Sequence, residues 1–254
     1  MKLSEIQAKV LKLIGEAQDT LVAAYLTGTN GGTSVAPLQT TADVITEHIN
    51  DGQNDLARNY YPISDTGTYT GTPGQPVTQW PAGQQFARYS QFTCAGNPKN
   101  VVFGVRKVNF GGVNLKSSGR AATENWYPNM DTDAQGQPKL FYEDGIEGFG
   151  VYPIPAASAV ATVKAIVTPA PLVMADDIPI FPVDLHVLLA LYAAGMIILS
   201  NTEDPVLASH GTAYMGMYND RAKRILDRVW RLDPDFARDL MAANGVAAAA
   251  PAQG

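Results

Sequence analysis

Helical periodicity at both ends of this chain, separated by a long middle stretch that carries none, is the feature that most limits how it can fold. Near the start, Ser4 and Gln7 have capping-box spacing, and Ile6, Val10, Leu13 and Ala17 recur on one face. Gly28, Gly31, Gly32 and Pro37 then break the pattern. A second helix is expected from Thr40 or Thr41, with Asp43 in its first turn, a stripe of Ile45, Ile49 and Leu56, and an end before Pro62. Its other face carries Glu47, Asn50, Asp51, Asn54 and Arg58. A third helix is expected over Val183 to Ser200, with Leu185, Leu188, Leu189, Tyr192, Met196 and Ile197 inward. Asp204-Pro205 restarts the chain as N-cap and first helical residue of a fourth helix that reaches about Arg231. That helix places Tyr214, Tyr218, Arg221, Ile225 and Val229 at helical spacing. One further helical turn is expected between Asp235 and Ala243, before an Ala/Pro/Gly tail that cannot build a core.

Between Ser64 and Met174, Gly, Pro, Thr and Gln dominate, and β-branched and aromatic residues come in short runs. Thr66 to Gln79 reads as a loop or wandering edge. Val101 to Val108 is the clearest strand, with Gly111-Gly112 a hairpin turn before Val113 to Lys116. Lys139 to Glu143, Gly148 to Tyr152 and Ala159 to Thr168 are further strands, and Pro169, Pro171, Pro179 and Pro182 end the β region. The expected fold is therefore α+β. A four-helix bundle is drawn from residues 1–62 and 179–232, an antiparallel sandwich or barrel-like insertion occupies 63–178 between helices 2 and 3, and 233–254 form an extended C-terminal tail.

Composition narrows the function. The net charge of −6 argues against a dedicated DNA binder, whose affinity comes from neutralising phosphates. A single cysteine, Cys94, excludes an intrachain disulfide framework. The first residues have no signal-peptide pattern, and the apolar run Val187 to Leu199 falls short of the roughly 20 residues that span a bilayer, so no membrane partner is expected.

The chain carries no nucleotide-binding glycine loop and no zinc-ligand spacing, and neither cofactor, metal nor enzymatic activity is expected. His48 and His186 fall on expected bundle helices and read as packing or contact residues rather than a metal pair. Asp131 to Gly136 opens like a calcium loop, but Gln135 and Tyr142 stand where ligands belong, so it reads as a polar turn. Glu143, Asp144 and Glu147 beside Phe141, Tyr142 and Phe149 suggest the alternative function. This is a glycan-binding or wall-degrading protein with its site in the β region and Glu143 and Asp144 as its carboxylates. Arg221, Lys223, Arg224, Arg228 and Arg231 concentrate the positive charge, with Asp220 and Asp227 interleaved. They read either as a solvated, salt-bridged face or as a dock for an acidic partner or a neighbouring subunit.

Several stretches, in order, carry a resemblance. They are Ile45-x-x-x-Ile49-Asn50-Asp51-Gly52-Gln53-Asn54-Asp55-Leu56-Ala57-Arg58, Val105-Arg106-Lys107-Val108-Asn109-Phe110-Gly111-Gly112, and Gly148-Phe149-Gly150-Val151-Tyr152-Pro153-Ile154-Pro155. Pro169-Ala170-Pro171-Leu172, Ile180-Phe181-Pro182-Val183-Asp184-Leu185-His186 and Leu189-Ala190-Leu191-Tyr192-Ala193-Ala194 follow. Over roughly Met1 to Arg231 the chain resembles the head-to-tail adaptor (connector) subunits of tailed phages. The resemblance implies a dodecameric ring beneath the portal protein, assembled in the host cytoplasm and carried in the virion neck. Such a ring extends the DNA channel toward the tail proteins and lets genomic DNA pass without sequence-specific binding. It makes Tyr192, Met196, Tyr214, Met217, Tyr218, Arg221, Arg224 and Arg228 candidates for subunit contacts. In the C-terminal segment it makes Pro234, Phe236, Arg238, Leu240 and Met241 candidates for portal docking. The Gly-rich loop after the first helix, the Ser64 to Gln91 stretch and the Ala-rich C-terminus depart from the family pattern.

Overall fold

A computed structural model describes residues 1–26, 41–72, 75–132, 135–144, 147–202 and 204–232. Among these the chain forms two compact units, one from Met1–Leu56 with Pro171–Leu232 and one from Ala57–Ala170. The fold is mixed α+β.

In the helical unit, α1 (Leu3–Leu26) buries Leu3, Ile6, Val10, Ile14 and Ala17, a stripe at three- and four-residue spacing. Its start differs from the expected Ser4/Gln7 box. The helix begins at Leu3, and Glu5 reaches back to accept from the Lys2 N–H at 3.0 Å. Gln7 instead donates to Thr46 Oγ1 at 2.8 Å. The box does not form because the first amides already have acceptors: Leu3 N donates to Asp177 O at 2.7 Å and Ser4 N to Ala175 O at 3.1 Å.

Helix α2 (Ala42–Asn59) starts as expected, with Thr41 Oγ1 accepting from Val44 N, and buries Ile45, Ile49 and Leu56. The expected third helix is a 3-10 turn (Val183–Leu185) continued by α4 (His186–Asn201); α3 (Arg120–Trp126) lies in the β unit. Val183–Asn201 is long and apolar enough by length and composition to cross a membrane, longer than the run read from sequence, but most of it is buried inside the unit. Packed against α1 and α5 (Pro205–Leu232), α4 is apolar almost all round, as a core helix must be. Two glycines let α4 and α5 approach: a Cβ on Gly195 would lie 2.9 Å from Met215, and one on Gly211 2.9 Å from Leu199.

Asp204 caps α5 as its sequence foretold, Oδ1 accepting from Val206 N at 2.8 Å and Leu207 N at 3.3 Å. Asp204→Ala is expected to cost about 1 kcal/mol in urea denaturation, because two amides lose their acceptor at the helix start.

The β unit contains two sheets. One has the order β3-β1-β9-β4-β5, from Phe92–Cys94, Ile63–Tyr69, Ala161–Thr168, Val101–Phe110 and Val113–Asn114. The other has the order β2-β8-β7-β6, from Phe86–Arg88, Gly148–Tyr152, Leu140–Asp144 and Lys116–Gly119. The insertion is not wholly antiparallel, since β6 runs parallel to β7, and a short helix α3 (Arg120–Trp126) follows β6. The expected loop from Thr66 overlaps β1, an interior strand paired on both sides. Ile63, Gly67 and Tyr69 face inward there, and glycine at 67 keeps the apolar alternation from showing in the sequence.

Trp80 is the largest fully buried side chain among the described residues. Tyr69, Phe92 and Phe110 of the first sheet and Phe149 of the second surround it at ring separations of 5.4 to 6.4 Å. Its indole N–H donates to Gln84 O at 2.7 Å, so the buried polar atom is satisfied. Gly111 and Gly112 turn the β4–β5 hairpin with φ of 57° and 85°, the left-handed pair that such a two-residue turn requires.

Candidate assembly surfaces

The carboxylates singled out as possible acid–base groups serve the β framework. Strand β4 shifts register between Val102 and Gly104 and again between Val105 and Lys107. Glu143 Oε1 accepts the Val105 N–H freed there, at 3.2 Å, and the Tyr89 hydroxyl at 3.3 Å. Burial, then the Glu143 charge, raises the Tyr89 phenol well above its ordinary value, so it stays a donor. Asp144 pairs with Arg120, which also binds Glu124 at 2.7 Å, and Glu147 lies 4.0 Å from Arg88. An open pocket of about 300 Å³ in the same unit is lined by Phe110, Gly111, Gly136, Gln137, Pro138 and Ala156–Ala159, with no carboxylate among them. Glu143 and Asp144 therefore do not line it.

The histidines do not meet as a pair. His186 is buried, with Nε2 donating to Phe181 O at 2.7 Å and Nδ1 2.9 Å from the Met1 amino nitrogen. That arrangement puts the ring proton on Nε2. His48 lies on α2, 3.8 Å from Asp51. Among the described residues no group of His, Cys, Asp and Glu is arranged to hold a metal. Cys94 is buried, and burial together with Asp65 pushes its thiol up to about 11, which leaves little of the reactive thiolate at neutral pH. Asp133 and Ala134 of the calcium-like turn lie outside the described residues.

The proposed contact residues separate into two groups. Tyr214 and Tyr218 are buried in their own helical unit, so they do not offer the exposed contact surface the sequence suggested. The Tyr214 hydroxyl donates to Leu13 O at 3.1 Å, and the Tyr218 hydroxyl donates to Asp55 Oδ2 at 2.5 Å. Tyr192 is half-buried, edge-on to Tyr218 with ring centroids 5.1 Å apart, and Met196 is half-buried too. The resemblance alone offered Tyr214 and Tyr218 as contacts; in α5 they occupy the inward stripe beside exposed Arg221.

Met217, Arg221, Arg224 and Arg228 are exposed along one flank of α5. None of these arginines makes an ion pair among the described residues, so the salt-bridged face does not form there. Pro234, Phe236, Arg238, Leu240 and Met241 lie outside the described residues.

One surface had no helical or strand period to announce it. Residues 172–182 form an irregular strap, with Val183 opening the 3-10 turn that follows it. Leu172, Pro179 and Phe181 are buried, whereas Val173, Met174, Ile178, Ile180 and Val183 are 54 to 68% exposed. The strap is firmly braced. Asn50 bonds both backbone groups of Leu172, at 2.8 and 3.0 Å, and Asp177 Oδ2 accepts from Val173 N and Met174 N at 2.7 Å each. The strap carbonyls of residues 175 and 177 take the first amides of α1, and Lys2 pairs with Asp176 at 2.7 Å. The available signal was the clustering of apolar residues between prolines.

No curated protein sequence matches the chain. Residues 1–244 match the family model described as SU10 adaptor protein. That match spans nearly the whole chain and decides the family: the chain belongs to the SU10 adaptor proteins, a phage head-to-tail adaptor family whose members are structural virion components.

Proposed function

We propose that the protein is a ring-forming adaptor that sits below the portal, extends the DNA channel and docks the tail. In this reading twelve copies close the ring, and the helical unit makes the contacts between copies. Residues Pro234, Phe236, Arg238, Leu240 and Met241 engage the portal, and the β unit faces the tail proteins. The observation that carries it is the braced strap. Five large apolar side chains on and beside it are more than half exposed, a surface whose value lies in being covered by another protein. At Val173 and Met174 the backbone is already held by Asp177 Oδ2, so less conformational entropy is lost there on contact.

Co-sedimentation with the portal protein of the same virion tests this. The wild-type chain is expected to pellet with the portal in multiple copies. The triple variant Val173→Ser, Ile178→Ser, Ile180→Ser is expected to lower the amount bound by about tenfold or more, as for loss of a central apolar cluster. Its thermal midpoint should hold, since these side chains are already in water. A wild-type chain that stays off the portal overturns the proposal.

A further inference from the structure

Two ladders of opposite charge stand on the helical unit. On α2, Asp43, Glu47 and Asp51 are exposed and follow one another at four-residue spacing, on the face away from Ile45, Ile49 and Leu56. At 1.5 Å per residue they step by about 6 Å and span about 12 Å. On α5, Arg221, Arg224 and Arg228 step by about 4.5 and 6 Å and span about 10 Å. The two ladders therefore match in length as well as in sign.

Neither ladder is neutralised among the described residues. Among the described residues Asp43, Glu47 and the three arginines make no ion pair, and Asp51 has only the long approach of His48 at 3.8 Å. Like charges one turn apart on a helix repel by a few tenths of a kcal/mol per pair, and a complementary ladder relieves that repulsion. The complement to each ladder is present on every copy of the chain. Because the ladders are different surfaces, a contact between them is heterologous: each copy offers α5 to one neighbour and α2 to the other, the geometry that closes rings.

We propose that the Arg221–Arg224–Arg228 ridge of one copy docks on the Asp43–Glu47–Asp51 ridge of the next, with Met217 at the edge of the contact. The pairing rests on the ring reading above and names the two surfaces that make it.

Charge reversal tests the pairing. One variant carries Asp43→Lys, Glu47→Lys and Asp51→Lys; the other carries Arg221→Glu, Arg224→Glu and Arg228→Glu. Copies joined to one another are counted by sedimentation and native mass spectrometry, with the portal protein present. Each variant alone is expected to lose self-association by tenfold or more, because its two faces then carry the same sign. An equimolar mixture is expected to regain it, since each variant supplies the ladder the other needs, and a chain carrying all six changes should assemble as wild type does. As a readout free of charge reversal, a chain with Glu47→Cys and a chain with Arg224→Cys should form a mixed disulfide, Cys94 being buried. If wild type self-associates but the single-ladder variants assemble equally well, or the mixture stays as poor as either alone, the pairing is overturned while the ring reading stands. If wild type never self-associates, with or without the portal, both are overturned.

Discussion

Replacing Trp80 by alanine is expected to destabilise the β unit by about 3–5 kcal/mol, the largest loss from any single side chain in it. The indole contacts rings from both sheets: Tyr69, Phe92 and Phe110 on one, Phe149 on the other. Alanine leaves a cavity that none of these four can fill without leaving its own packing, and it removes the donor to Gln84 O. Trp80↔Ala159 is an isolated bridge outside the named strands, so little local backbone pairing offsets the loss. Thermal unfolding followed by tryptophan and near-ultraviolet signals should show a midpoint lower by roughly 10 °C. Trp80→Phe should recover more than half of the loss. A midpoint within about 2 °C of wild type for the alanine variant would mean that the ring cluster does not hold the sheets.

Gly148→Ala is the second large effect, and its cause is backbone rather than cavity. Gly148 pairs with Arg88 where β8 meets β2. A Cβ there would sit 2.2 Å from the Ala87 carbonyl oxygen and 2.9 Å from Arg88 Cα, both main-chain atoms that no rotamer change can move. Strand β2 must shift or detach, at a cost of about 3 kcal/mol or more. Gly216→Ala is the matched control. It lies exposed on α5 with nothing within 4 Å of the added atom, and it should stabilise the helix by up to about 1 kcal/mol. If the two variants melt together, steric contact at β2 is not what fixes glycine at 148.

Helices α1, α2 and α5 were the most legible part of this sequence, because each buries one stripe whose period survives in the residue string. Ile45, Ile49 and Leu56 needed only their spacing, and Asp204-Pro205 announced α5 through its capping chemistry. The start of α1 was misread because the acceptors for its first amides lie at residues 175 and 177, far along the chain, and local sequence does not show them. Strand β1 was partly hidden by Gly67, inward-facing and without a side chain. Three-residue strands such as β2 and β3 are too short to show a period at all. At the assembly surfaces, the arginine flank was legible as a run of like residues, whereas Tyr214 and Tyr218 needed the packing of α5 to show that they point inward. The strap residues were invisible for the opposite reason: all but Val183 lie outside regular elements, and bonds from Asn50 and Asp177 hold Leu172, Val173 and Met174 in place.

The way the chain threads the β unit also bears on how that unit carries load. It changes sheet between β1 and β2, again through the 3-10 turn Tyr89–Gln91 between β2 and β3, and again between β5 and β6 and between β8 and β9. Sheets stitched by four crossings cannot be peeled apart one strand at a time. A pull on either sheet reaches the other through covalent backbone as well as through the packed rings, so the unit resists tension as a sewn seam rather than a glued one. Here that resistance comes from topology rather than from any single strong contact.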